Sequence, residues 1–150
     1  MKNKFVYHGS RKEIIGDKLE PRRANGLGEK IDEKQTGVYS TDRKDAAIVM
    51  GIISGAKLSS MYFYRGKARG IIYEGWPKRE KVYLYYLPKE KFEKIKGDNW
   101  QWISYNAIKP IKIEKLYVKN YVHLIRKATN KERENFLTKH KKELNKLNEK

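Results

Sequence analysis

The sequence contains no cysteine and only three histidines among its 150 residues. Without cysteine there are no disulfides, no thiolate metal sites and no cysteine nucleophiles. His8, His123 and His140 lie too far apart for a recognisable zinc-binding spacing. Any catalysis must therefore use oxygen and nitrogen groups.

The chain also lacks a long apolar run. Its longest uncharged apolar stretch, Ala46 to Ile53, is far shorter than the roughly 20 residues that a membrane helix needs. Residues 1–4 lead into a strand-like run and not into an apolar signal core. We therefore expect a soluble cytoplasmic protein without a membrane partner.

Negative charge is scarce. The chain has 35 Lys and Arg against 18 Asp and Glu, which gives a formal net charge of +17. The 26 lysines outnumber the nine arginines and are spread along the chain, which favours a solvated basic surface over a dedicated nucleic-acid groove. A field of this sign still attracts polyanions, so nucleic acid stays open as a partner.

Short runs of β-branched and aromatic residues, separated by glycine, proline and charge, predict a sheet-rich α+β domain. The predicted strands cover 4–7, 37–40, 59–64, 70–74, 81–87, 102–105 and 108–118. In the last of these, Ile111 and Ile113 alternate with Lys112 and Glu114, which predicts one apolar and one charged face.

Two helices are predicted. The first runs over 43–54 behind Asp42 as its N-cap, and its stripe of small and apolar residues is expected in the core. The second runs over 129–147, because Thr129 and Glu132 have the spacing of a capping box. We expect residues 1–128 to form one domain and residues 129–150 to form a basic amphipathic helix packed on it.

Common phosphate-loop, dinucleotide and hydrolase signatures are absent from the sequence. What remains is three segments at predicted strand ends: Y-H-G-S at 7–10, V-Y-S-T-D-R-K-D-A-A-I at 38–48, and Q-W-I-S-Y at 101–105. In this order they resemble the ADP-ribosyltransferase superfamily, in the branch with a His-Tyr-acid triad. The middle block is similar to that of small rifamycin ADP-ribosyltransferases, and the outer two are similar to the poly(ADP-ribose) polymerase pattern.

The resemblance implies an ADP-ribosyltransferase-like α+β fold, with two small antiparallel sheets packed face to face around an NAD cleft and the C-terminal helix appended outside. It implies that His8 hydrogen-bonds a ribose hydroxyl, that the backbone of Gly9 pairs with the nicotinamide carboxamide, and that Tyr39 stacks on the nicotinamide. A glycine at that point would let the backbone approach the ligand.

Further NAD contacts are implied beside these. Ser10, the last residue of the first motif, is expected to contact NAD. Ala47 and Met50 stand where the polymerase pattern has a serine and a second stacking tyrosine, and they are counted with the NAD-binding residues. Arg22 or Arg23, at the start of a loop expected to be mobile or ligand-covering, would meet the pyrophosphate, since guanidinium grips phosphate oxygens in bidentate fashion.

The third catalytic position is occupied by Gln101, where the polymerase-like pattern has a glutamate that bonds the ribose 2′-hydroxyl. Glutamine can accept the same hydrogen bond but supplies no negative charge to the oxocarbenium-like transition state. Superfamily members with a non-acidic third residue tend to transfer a single ADP-ribose. A second possibility is that Asp98 or Glu93 supplies the carboxylate.

The leading hypothesis is an NAD-dependent mono-ADP-ribosyltransferase with His8, Tyr39 and Gln101 as catalytic residues, NAD as substrate and no metal. One alternative is a catalytically inert member that binds NAD or ADP-ribose. Another is a nucleic-acid-directed member, which modifies RNA or DNA or transfers an RNA 2′-phosphate. The acceptor stays open among proteins, nucleic acids and small molecules.

Overall fold

The computed structural model describes residues 4–23, 36–97 and 100–148. Its strands are β1 Phe5–Ser10, β2 Arg22–Arg23, β3 Thr36–Thr41, β4 Leu58–Tyr64, β5 Lys67–Glu74, β6 Lys81–Pro88, β7 Glu93–Lys94, β8 Gln101–Ser104, β9 Lys112–Tyr117 and β10 Ile125–Lys127. Its helices are α1 Lys44–Ile53, α2 Asn130–Lys139 and α3 Lys141–Asn148. Most of the predicted loop after Arg23, and Asp98, lie outside the described residues.

The main sheet is antiparallel and, in the described part of the chain, has seven strands. Six of them follow the order β7-β8-β3-β1-β6-β9, and β2 pairs with the start of β3. β1 pairs with β6 along its whole length, from Phe5–Pro88 to Ser10–Tyr83. Its pairing with β3 is limited to one position, Tyr7–Thr41. β1 is thus paired with β6 along its whole length but with β3 at a single position.

A smaller sheet has the order β10-β5-β4 among the described strands. β4 and β5 form an antiparallel hairpin, whereas β10 runs parallel to β5. The α+β class with two small sheets is confirmed. The small sheet is mixed, however, and not purely antiparallel as expected.

Helix α1 lies between the two sheets, so their direct face-to-face packing is a wrong prediction. On one side Gly9 of β1 and Gly51 of α1 pack backbone to backbone, because neither carries a side chain to hold the elements apart. On the other side Val49 and Ile53 pack close to Gly70 of β5. α1 is therefore buried from both sides, as its largely apolar sequence requires.

Each face of the main sheet carries a separate core. The face toward α1 holds Tyr7 and Leu84 among its buried residues. The opposite face holds Val6, Tyr85 and Leu87. This second core is covered by the segments around Leu19 and Ile108, whose backbones exchange hydrogen bonds of 2.8 and 3.0 Å.

The faces of β9 are the reverse of the prediction. Ile113 is 44 % exposed and Ile111, just before the strand, is 58 % exposed. Glu114 instead pairs with Leu84 on the face toward α1, where it accepts a hydrogen bond from Tyr86 at 2.8 Å. The alternation of apolar and charged residues does not show which face of an edge strand is covered. The register with the neighbouring strand decides which side chains face the core.

Both predicted helices form, with corrected ends. Asp42 is not the N-cap of α1; Arg43 takes that place without a side-chain cap, and Thr41 Oγ1 accepts from the Arg43 amide at 3.0 Å. The capping box of Thr129 and Glu132 is confirmed.

A single helix over 129–147 is wrong, because the chain leaves helical geometry at His140 and α3 starts after it. α2 docks on the small sheet, where Phe136 stacks on Tyr73 with ring centroids 4.0 Å apart. In the described ranges no helix combines the length and apolarity that crossing a membrane would require.

Candidate functional site

The most unusual feature of the main sheet is the seam between β1 and β3. Beyond the Tyr7–Thr41 pair, His8, Gly9 and Ser10 have no β3 partner in the described part of the sheet. The His8 side chain spans the gap instead, with Nδ1 2.7 Å from the carbonyl oxygen of Tyr39. An imidazole thus takes the place of a backbone ladder, and the end of β1 is held open from β3 by a side chain.

The hydrogen bond fixes the tautomer of His8. A carbonyl oxygen only accepts, so Nδ1 carries the proton and donates it. Burial lowers the pKa of His8; the bond to Tyr39 opposes this effect, and the positive charge of Arg22 adds to it. The imidazole is therefore neutral near pH 7, with a lone pair on Nε2 that can accept a hydrogen bond from a hydroxyl group.

The structure shows a reason for a glycine at position 9 that differs from the predicted one. A Cβ at this position would overlap the carbonyl oxygen of Ala47 and come within 3.1 Å of the Gly51 amide nitrogen. The missing side chain makes room for α1, and the pairing of the Gly9 backbone with a carboxamide stays a prediction. Ala47 itself is 1 % exposed in the core, so it offers a ligand no surface, and we remove it from the candidate site.

Tyr39 and Gln101 share one face of the sheet. Thr41 pairs with both Tyr7 and Gln101, and Tyr39 pairs with Ile103. Because side chains alternate along a strand, these residues all lie on the face toward α1. Tyr39 and Gln101 are half-buried, two residues apart across neighbouring strands.

His8 lies on the opposite face from Tyr39 and Gln101. It pairs with Tyr85 and alternates with Tyr7, so its ring belongs to the side of the second core. The structure therefore brings the three predicted catalytic residues onto adjacent strands but not onto one surface. A hydrogen bond from His8 to the Tyr39 backbone crosses the seam.

Glu93 is the described carboxylate best placed to compensate for Gln101. It pairs with Ile103 in β7, which puts it on the same face as Tyr39 and diagonal to Gln101. Diagonal neighbours lie about 7–8 Å apart, within reach of long side chains. Glu93 is exposed. The other predicted carboxylate, Asp98, lies outside the described residues.

Asp45 is the carboxylate nearest in sequence to the second motif, but its hydrogen bonds serve the fold. It accepts from the amides of Ala46 and Ala68, each at 2.8 Å, and from Arg43 at 3.3 Å. Burial alone would raise the pKa of Asp45, but the bonds from Ala68 and Arg43 lower it below its usual value. Asp45 thereby fastens the β4–β5 hairpin to the start of α1.

The remaining predicted contacts surround the seam. Arg22 in β2 pairs with Gly37, is exposed, and its charge acts on His8. Ser10 is half-buried, and its hydroxyl accepts from the Lys12 amide at 3.2 Å. Met50 is 39 % exposed on α1. Their contacts with NAD stay predictions. Among the described residues, no group of three acidic or imidazole side chains could hold a metal ion.

One aromatic cluster beside Gln101 was missed by the sequence analysis. The rings of Trp100 and Phe63 meet edge to face at 5.8 Å, and the Arg43 guanidinium lies 4.4 Å over the Phe63 ring. Trp100 could have been noted as the neighbour of Gln101. Phe63 could not, because it arrives from the β4–β5 hairpin, which Asp45 holds in place.

Comparison with known proteins gives no match: no family model, no curated protein and no solved structure is significantly similar to this chain.

Proposed function

We propose that this chain is an NAD-dependent mono-ADP-ribosyltransferase with an ADP-ribosyltransferase-like fold, and that NAD binds along the seam between β1 and β3. One observation carries the proposal. The three segments selected from the sequence alone end up on the three neighbouring strands β1, β3 and β8. The seam between the first two is kept open by the bond from His8 to Tyr39.

The reaction breaks the bond between ribose C1′ and the nicotinamide nitrogen, and the bonding electrons leave with nicotinamide. The nucleophilic oxygen or nitrogen of the acceptor forms the new bond to C1′ and gives up its proton. Because His8 and Tyr39 lie on opposite faces of the sheet, NAD in this proposal reaches both faces at the seam. Nε2 of neutral His8 accepts from a ribose hydroxyl on one face, and the ring of Tyr39 packs against nicotinamide on the other. Arg22 meets the pyrophosphate.

Positive charge develops on the ribose as the bond breaks, and a carboxylate would stabilise it. Gln101 accepts the hydrogen bond of a ribose hydroxyl, while Glu93, diagonal to it on the same face, supplies the charge from a greater distance. Because charge interaction weakens with distance and with exposure to water, this arrangement predicts slow transfer.

The glutamine also supports an alternative from a different class. In this alternative the chain, which has glutamine at the third position, binds NAD or ADP-ribose without cutting it. This reading keeps the roles of His8 and Arg22 in binding and assigns Gln101 a hydrogen bond only.

The test is nicotinamide release from NAD, followed by proton NMR with the full chain. We expect the wild type to release nicotinamide. His8→Ala should lower the rate of release tenfold or more, as for one lost polar contact to the substrate, and Gln101→Glu should raise it. His123→Ala, which changes an exposed histidine outside the seam, is the matched control. His8→Gln keeps a donor toward the Tyr39 carbonyl and separates loss of function from loss of fold.

The outcomes distinguish the two readings. No release, together with saturable NAD-induced shifts that disappear in His8→Ala, would support the binding protein. If NAD causes no shifts in a folded wild type, both readings are wrong. Glu93→Gln should slow release further if Glu93 supplies the carboxylate, and unchanged release in that variant would remove Glu93 from the site.

A further inference from the structure

The outer side of the β6–β9 pair carries alternating cations and rings. Lys81 pairs with Tyr117, and Tyr83 pairs with Lys115. Ile113 lies beside them on the same face. We call these five residues the β6–β9 outer face. They lie on the sheet side opposite to α1, away from Tyr39 and Gln101.

The apolar parts of this face are open to solvent. Tyr117 is 43 % exposed and Ile113 is 44 % exposed, while Tyr83 is half-buried. The Lys81 ammonium lies 5.9 Å from the centre of the Tyr117 ring, a distance at which a cation is attracted to the ring. Planar surfaces and positive charges therefore alternate at the spacing of neighbouring strands.

A depression of about 410 Å³ adjoins Tyr83 and adds more positive charge. Arg11, Lys12, Arg79 and Lys81 line it against two carboxylates, those of Glu13 and Glu80. In the part of the chain that the structure describes, the salt bridges within 4 Å involve other residues, so Lys12, Arg79, Lys81 and Lys115 are not neutralised by ion pairing.

We propose that the β6–β9 outer face, with the depression beside Tyr83, binds single-stranded nucleic acid. Cations outside the described salt bridges complement the phosphate backbone, and the exposed ring of Tyr117 gives an unstacked base a surface on which to stack. An acidic polypeptide would satisfy the cations, but its carboxylate side chains have no aromatic face to stack on the ring of Tyr117. A duplex would satisfy the cations but keeps its bases stacked inside. The inference does not depend on the proposed NAD chemistry.

The test is fluorescence anisotropy with a labelled oligothymidylate or oligouridylate of about 12 nucleotides, within the usual site size of single-strand-binding folds. We expect the double variant Lys81→Glu/Lys115→Glu to weaken binding at least tenfold. Loss of two phosphate contacts should also reduce the salt slope by about 1.4. Tyr117→Ala should weaken binding about fivefold, as for one lost base stack.

The matched control is Lys67→Glu/Lys139→Glu, which changes the net charge equally at two exposed positions off this face. It should bind nearly as the wild type does. Circular dichroism melting checks that each variant is folded.

Three outcomes would overturn the proposal. One is no binding by the wild type at low salt, and another is equal weakening by the control, which would mean attraction by net charge alone. The third is that polyglutamate or a DNA duplex competes as effectively as unlabelled single-stranded nucleic acid does. That result would assign the face to a different anionic partner.

Discussion

The two halves of the main sheet are built differently. In one half β1, β6 and β9 pair over six residues at each junction, and α1 packs on them through Gly9. In the other half β3 is joined to β8 over four residues, and β7 and β2 have two residues each. Between the halves, the described backbone pairing is limited to Tyr7–Thr41, and the His8 imidazole bridges the rest of the seam through the Tyr39 carbonyl.

The comparison separates the residues that stabilise the fold from those that are candidates for function. Pairing and helix packing support the first half several times over, so the loss of one contact there leaves the others in place. Tyr39, Gln101 and Glu93 belong to the second half, where fewer pairs constrain the strands. Sites for ligands are commonly drawn from such less stable regions.

The largest effect is expected from a side chain between β1 and α1. Gly9→Ala places a Cβ against the backbone of Ala47, which cannot move without lifting α1 from the sheet. We expect a loss of about 3 kcal/mol in the free energy of unfolding, at the upper end for overpacking, measured by urea denaturation.

Gly37→Ala in the second half is the matched comparison. Its Cβ would meet Cδ1 and Cγ1 of Ile103 at 2.6 Å and the Ser104 carbonyl oxygen at 3.0 Å. Because the closest contacts are with a side chain and not with backbone, we expect a smaller loss, of about 1 kcal/mol. If Gly37→Ala proves the more harmful of the two, the first half is not the anchor of the fold.

A smaller and pH-dependent effect is expected at the link between the halves. The pKa of His8 is lower in the folded protein than its ordinary value of 6.5, so the unfolded chain binds protons more readily. Stability from this group is complete above pH 6.5 and is lost as the pH falls through the folded-state pKa.

The measurement is urea unfolding of wild type and His8→Gln from pH 8 downward. Below the unfolded pKa, wild-type stability should fall by up to about 1.4 kcal/mol per pH unit relative to the variant, which does not titrate there. Parallel curves for the two proteins would show that protonation of His8 does not loosen the seam.

The smallest effect is expected at the edge of the well-paired half. Glu114 accepts from Tyr86 and lies 3.7 Å from the Lys44 ammonium, but these groups are partly exposed. We expect Glu114→Gln to cost about 0.5 kcal/mol, as for other solvent-exposed pairs. Thermal melting measures the difference from Lys115→Gln, which changes a lysine on the opposite face that is in none of the salt bridges among the described residues. A loss above 2 kcal/mol would mean that this edge is not redundantly supported.

Local signals in the sequence predicted most of the elements. β3 and α1 begin and end within a residue of their predicted limits. β1 was predicted to end at Tyr7, but it continues through His8 and Gly9 to Ser10, where it stays paired with β6. The capping box at Thr129 was also predicted correctly. The break at His140 was missed, since the apolar stripe continues through it and no glycine or proline marks the end.

Features that depend on distant pairing could not be predicted from local patterns. The exposure of Ile113 follows from a register that puts Glu114 opposite Leu84. The two-residue strands β2 and β7 exist only through their partners.

The candidate site was predicted in part. The order of the three segments indicated that His8, Tyr39 and Gln101 would lie on nearby strands. It did not indicate that His8 would face away from the other two, because a strand's faces are set by its neighbours. Nor could the sequence distinguish a glycine that admits a ligand from one that admits a helix, as Gly9 does.

The parallel pairing of β10 with β5 has a consequence for the order in which the chain assembles. Gly70, in β5, lies against Val49 and Ile53 on one element and against Ile125 on another. During synthesis the hairpin and α1 leave the ribosome long before Ile125. Until β10 arrives, one edge of β5 lacks its partner and is open to pairing with another chain. Closure of the small sheet is thus a late step, and a chain stalled before β10 is the form most exposed to aggregation.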